Sequence, residues 1–158
     1  MKRNLLKKAL AGLLSAALLV LPTLAAEPQQ PSSWAVSQLA DSYALGLVDD
    51  NYTTYIQSPV TMEQLESMTK VVAGKLALLE LEPRTADAVG LVVDTTRGGV
   101  MNALYQEAAT YDLPGVEEGP EAFLTGLGVV QGDGASLAQE RTCTYQEAMV
   151  MANRLILA

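Results

Sequence analysis

From residue 34 onward, apolar residues recur at intervals of three and four, and Gly, Pro and polar clusters cut the pattern into segments. Trp34, Leu39, Tyr43 and Leu47, with Ala35 and Ala40, follow helical spacing, and Ser32 or Ser33 stands at the capping position. Gly46 is placed to end that helix in a left-handed cap, with Leu47 and Val48 folding back onto it. An irregular loop over 49–59 follows. Thr61-Met-Glu-Gln64 then opens a second helix with a capping box, in which Thr61 takes a backbone amide and Gln64 reaches back. Leu65, Met68, Val72, Leu76 and Leu79 form its apolar stripe, and Pro83 bars extension.

Residues 86–93 fit a short helix or a strand equally well, because periodicity cannot decide for so short an apolar run. Thr96, after Asp94 and Thr95, caps a third helix running from Arg97 to about Asp112, with Val100, Met101, Leu104, Ala108 and Tyr111 inward. Gly98 and Gly99 in its first turn lower helix propensity, so packing or a ligand has to account for them. Pro120 suits the first turn of a short helix through Phe123 and Leu127, which Gly128 ends before Val129 and Val130 turn back. After a loop over 131–141, Thr144 and Glu147 form a second capping box, opening a helix that buries Ala148, Val150, Met151 and Leu155.

The first 26 residues follow a different logic. Lys2, Arg3, Lys7 and Lys8 precede an almost uncharged apolar run from residue 9 to 21, broken by Pro22 and followed by small residues up to Ala25 and Ala26. That is the pattern of a secretory signal peptide, cut after Ala25 or Ala26, and the run is short for a membrane span. No cysteine follows it to carry a lipid anchor. Losing four cations takes the formal charge from −8 to −12, which disfavours nucleic acid and anionic membrane surfaces as partners. Residues 27–33 read as a polar linker, and 34–158 as one domain.

Composition narrows the chemistry. Hydrophobic residues make up 49% of the chain but aromatics only 5%, so Leu, Val, Ala and Met must build the core. One cysteine, Cys143, leaves no internal disulfide. There is no histidine, which removes Ser-His-Asp and Cys-His nucleophile systems and His-ligated zinc. Asp49-Asp50 and Gly132-Asp-Gly134 lack the alternating acid spacing and closing Glu of a calcium loop, so no metal and no cofactor is assigned.

Three long helices thus begin at a Thr (Thr61, Thr96, Thr144), and two of them follow a shorter helix ended by Gly and an apolar pair. Such units cannot bury their own faces and have to pack on one another. The plan resembles the S-layer homology (SLH) family of cell-surface modules. Trp34-Ala35, Leu39 and Gly46-Leu47 fall at the family's W-A-x3-I/L-x6-G-I/L spacing, and Val60-Thr-Met-Glu-Gln64 where the family has I-T-R-A-E. Gly128-Val-Val-Gln-Gly-Asp-Gly134, Leu137, Cys143 to Glu147 and Arg154-Leu155 match another copy, while the middle copy keeps Thr96-Arg97-Gly98.

The resemblance implies an all-α, pseudo-threefold bundle of helix-loop-helix repeats over about 34–80, 84–112 and 120–157. It also implies grooves that hold an anionic secondary cell-wall polysaccharide. Carried over position by position, the ligand-binding candidates are Trp34, Thr61, Gln64, Thr96, Arg97, Thr144 and Glu147. The chain departs from the motif where Met62 and Tyr145 replace Arg, and where Gln64 and Gly99 replace Glu. Arg supplies bidentate contacts to anions that Met and Tyr lack. What persists in each copy is what helix capping alone requires.

The expectation is therefore an exported, non-catalytic module at the cell surface, partnered by cell-wall polysaccharide or another surface protein. The alternative is a degenerate SLH-like interaction or spacer domain that precedes or partners a catalytic domain, such as a hydrolase of the TraB/GumN type. Single residues carry paired readings. Trp34 is a packing anchor or, less favoured, a sugar-stacking face. Arg97 and Arg141 meet a polymer acid or a neighbouring Glu. Cys143, just ahead of a helix N-terminus, is a thiolate site or, as favoured, a buried structural residue. Met149 and Met151 are core filler.

Overall fold

One helix, Tyr145–Leu157, is buried nearly all round, and the other elements are arranged about it. In this computed structural model, residues 27–85, 90–132 and 136–158 are described. The expected signal peptide, residues 86–89 and residues 133–135, with Asp133 and Gly134 of the Gly-Asp-Gly stretch, lie outside them. The described residues form five α-helices and no strand, so the protein is all-α: α1 Ser33–Leu45, α2 Met62–Ala77, α3 Arg97–Ala108, α4 Pro120–Gly126 and α5 Tyr145–Leu157. Helix α5 packs on α1, α2 and α3; α2 also packs on α3, and α4 on α3.

The core is aliphatic and sulfur-rich: Ile56, Leu65, Met68, Met101, Leu104, Leu124 and Met149 are fully buried. Each such side chain contributes roughly 1.5–3 kcal/mol over leaving it in water. Leu65, Met68, Val72 and Leu76 of α2 face inward, but Leu79 is exposed, because α2 ends at Ala77. Val100, Met101, Leu104 and Ala108 of α3 are buried, and that helix also stops short of the expected Asp112. Residues 90–93 are neither helix nor strand.

Helix α1 departs most from its pattern. Its buried residues are Ala35 and Ser42, while Trp34 is 48% and Tyr43 54% exposed. Two small residues let α1 lie close against α5, and that turns the aromatic stripe outward. Ser32 occupies the N-cap but makes no side-chain cap bond. Instead its amide donates to Gln146 Oε1 (2.9 Å), and its hydroxyl accepts from Gln146 Nε2 (3.0 Å). Gly46 at φ +80° ends α1 as expected, with Leu47 and Val48 buried behind it. The stretch read as a linker is tied down, since Gln29 Nε2 donates to Ser58 Oγ (3.1 Å) and Gln29 Oε1 accepts from the Gln57 amide (2.8 Å).

The starts of α2, α3 and α5 meet. The Val60 amide donates to the Cys143 carbonyl (2.9 Å), and the Cys143 amide donates to the Thr95 carbonyl (3.0 Å). The residue preceding each capping Thr is thereby stitched to the next. First-turn amides, normally orphaned, find partners the same way. Tyr145 and Gln146 donate to the carbonyls of Ser58 and Ile56, and Arg97 and Gly98 to those of Arg141 and Gln139. Cys143 at the junction is fully buried, and desolvation, reinforced by Glu147, pushes its thiol up to about 12. The thiolate reading fails because burial outweighs the helix N-terminus.

The capping Thr residues obtain their second bond from three different side chains. The Thr61 amide donates to Gln64 Oε1 (2.9 Å). The Thr144 amide and hydroxyl both donate to Glu147 Oε2 (3.0 Å each). In α3 the oxygen comes from upstream instead, as the Thr96 amide (2.8 Å) and hydroxyl (2.5 Å) donate to Asp94 Oδ1. These bonds, hydroxyl first, hold the Asp94 carboxyl below its usual value. Gly99 is what makes room: a Cβ there would lie 2.5 Å from the Asp94 amide nitrogen and carbonyl oxygen. The reason for Gly99 is packing.

Candidate functional site

A cavity of about 560 Å³ opens between the first turn of α1, the start of α3, residues 129–132 and 136–138, and one face of α5. That size lies within the usual range for small-ligand sites. Its α5 wall is Glu147, Val150, Met151 and Arg154, spaced three, four and seven along the helix so that they form one stripe. Trp34 and Arg97 enter from α1 and α3, and Arg141 from the loop before α5.

Charge is concentrated here. The chain has ten Lys and Arg residues, of which Lys2, Arg3, Lys7 and Lys8 precede residue 27; three of the remaining six, Arg97, Arg141 and Arg154, line this cavity. Glu147 is the one acid among the described lining residues.

Glu147 holds two of those cations. Arg141 grips its carboxylate with both terminal nitrogens, Nη1 at 2.8 Å from Oε2 and Nη2 against Oε1, and Arg97 Nη1 lies 3.3 Å from Oε1. Burial opposes the charge on Glu147, but Arg141 and the Thr144 amide outweigh it and hold the carboxyl at about 2. Arg97 is only 8% exposed. Its Nε donates to the Leu137 carbonyl (2.9 Å) and its Nη2 to that of Gln131 (3.2 Å), fastening both residues to α3. The salt-bridge reading of Arg97 and Arg141 is the one realised.

Arg154 differs from both. Its Nη1 reaches the Val129 carbonyl at 3.4 Å, and it has no acidic partner among the described residues. Trp34 stands half-exposed at the rim, with no ring-stacking or cation–π contact among the described residues.

No family model, curated protein or solved structure matches the chain.

Of the residues expected to bind a ligand, the cavity gathers Trp34, Arg97 and Glu147, with Thr144 bonded behind Glu147. Thr96 caps α3 and is bonded to Asp94. Thr61 and Gln64 cap α2 and do not line the cavity. Sequence reasoning missed Arg154 as a cavity residue, and it placed Asp94 in the cap of α3 without the bonds its carboxylate makes to Thr96. The i, i+3, i+4, i+7 spacing of Glu147, Val150, Met151 and Arg154 was available as a signal for the first. An Asp two residues before a capping Thr, with Gly three after it, was the signal for the second.

The chemistry open to this cavity follows from its donors. With first-turn amides of α3 and α5 already engaged, the anion affinity common at helix N-termini is not on offer here. An anionic group would have to be held by guanidinium, which offers paired donors in a plane.

Proposed function

We propose that this protein is an exported, non-catalytic SLH-like module whose cavity holds an anionic polymer of the cell wall. The observation that carries the reading is the convergence of Arg97, Arg141 and Arg154 beside a half-exposed Trp34, in a chain of strong acidic excess. A cation cluster in such a field attracts anions locally, and an aromatic face offers a surface for the apolar side of a sugar. The three Thr-capped helix starts stitched through Val60, Thr95 and Cys143 support a bundle of three related units. Arg97 enters as a fixed wall of the groove, because all its nitrogens are engaged within the protein.

Co-sedimentation of the protein starting at Glu27 with purified wall sacculi tests this. Binding is expected at low salt, falling as salt rises, and disappearing after the anionic secondary polymer is extracted from the sacculi. Equal binding to extracted sacculi, or none at low salt, would sink the reading. An interaction or spacer role is the second reading. Its surface support is limited to exposed apolar side chains such as Leu78, Leu79 and Val92, which are ordinary when scattered.

A further inference from the structure

The three arginines of the cavity are not equivalent, and the difference identifies which one meets a ligand. We infer that Arg154 contacts the anionic group of the ligand, a carboxylate or phosphate carried on a sugar ring that lies against Trp34, whereas Arg97 and Arg141 are held by Glu147 as an internally paired wall. The inference rests on the wall-polymer reading above and adds the contact residue to it.

Arg97 is buried with Nε, Nη1 and Nη2 each bonded to a protein oxygen, so three of its five N–H donors are already committed and its side chain is fixed in the wall. Arg141 spends both terminal nitrogens on the Glu147 carboxylate and Nη1 also on the Thr142 carbonyl. Displacing it would leave Glu147 with Arg97 and Thr144 only. Arg154, by contrast, makes one bond near the long limit of hydrogen bonding. A guanidinium carries five N–H donors, so most of its capacity faces the cavity unmet by protein.

It is also partly withdrawn from solvent, in a chain where acids outnumber cations eighteen to ten, yet no described acid pairs with it. A role as a cation in the last turn of α5, complementing the helix dipole, would need only the charge and not the fork. Trp34 supplies the second half of the subsite, an apolar ring left half in water on the same cavity.

Trp34 is the chain's single tryptophan, so its fluorescence reports this cavity alone. The protein starting at Glu27 is titrated with glucuronate, glucose 1-phosphate and glucose, and bound separately to wall polymer. Saturable fluorescence changes are expected with one or both anionic sugars and not with glucose; which one responds distinguishes carboxylate from phosphate recognition. Arg154→Gln should weaken both sugar and polymer binding at least about tenfold, the worth of a charge-assisted hydrogen bond. Arg154→Lys, which keeps the helix-dipole charge and therefore the fold, should still lose several-fold because the planar fork is gone. Arg84→Gln, outside the cavity, should bind as wild type.

Wild-type binding of polymer with undiminished binding by both Arg154 variants overturns the inference and leaves the wall-binding reading standing. So does a fluorescence response to glucose equal to that of the anions. Wild type that binds no polymer removes both.

Discussion

Replacing two helical glycines by alanine should move stability in opposite directions. In a helix, Ala is favoured over Gly by about 1 kcal/mol. Gly74 in α2 has nothing within 4 Å of where a Cβ would stand, so Gly74→Ala should collect that gain in full. Gly99 in α3 gains no more than the same from propensity. Against it stands a Cβ 2.5 Å from the Asp94 amide nitrogen and carbonyl oxygen, main-chain atoms that cannot rotate aside. Overpacking of this kind costs about 1–3 kcal/mol. Displacing Asp94 also breaks its two bonds to Thr96, at about 1 kcal/mol each. The net effect of Gly99→Ala is a loss of about 2–4 kcal/mol. At roughly 4 °C per kcal/mol for a domain of this size, Tm should fall by about 8–16 °C, while Gly74→Ala raises it by about 4 °C. Far-UV circular dichroism during thermal and urea unfolding measures both. A Gly99→Ala protein as stable as wild type would refute the account of Asp94 as the capping carboxylate of α3.

Cys143, buried with its thiol pushed up to about 12, should react with a thiol reagent only after denaturation; rapid labelling of the native protein would refute its place at the junction. Glu147 has a folded pKa of about 2 against an ordinary 4.5, so its stabilisation is present above about 4.5 and is lost as pH falls towards about 2. Glu147→Gln keeps the amide-to-side-chain bond that Thr61 makes with Gln64, but it should flatten the acid limb of the urea midpoints to what Asp94 and the other carboxylates leave, and an unchanged slope would contradict the ion-pair assignment.

What could be read from the chain was what sequence-local chemistry determines. Thr61 with Gln64 and Thr144 with Glu147 act across three residues, and Gly46 and Gly128 end segments by adopting positive φ, so these starts and stops were legible, whereas α2 and α3 end short of where apolar spacing carries them. The inward face of α1 was legible only in part, since Ala35 and Leu47 of its pattern are buried and Leu39 packs on the core. Trp34 and Tyr43 carry the apolar periodicity, but Ala35 and Ser42 face α5, because close helix approach selects small side chains over apolar ones. Nor could spacing show Arg97 meeting Glu147, fifty residues on, since that pair depends on how α3 and α5 are placed. The same holds for Gln146, a buried polar residue whose partner, Ser32, lies 114 residues away.

The stitching of the helix starts also dictates when the molecule can close. Residues 139–146 supply the acceptors for the amides of Val60, Arg97 and Gly98, and α5 is the surface on which α1, α2 and α3 pack. During synthesis these residues emerge after α1 to α4, so α2, α3 and α4 can pack on one another while the face that α1, α2 and α3 share is missing until α5 arrives. Assembly is therefore governed by contacts distant in sequence and comes late rather than step by step from the N-terminus. The late arrival of α5 also leaves the buried faces of α1, α2 and α3 without the helix they share for that whole interval.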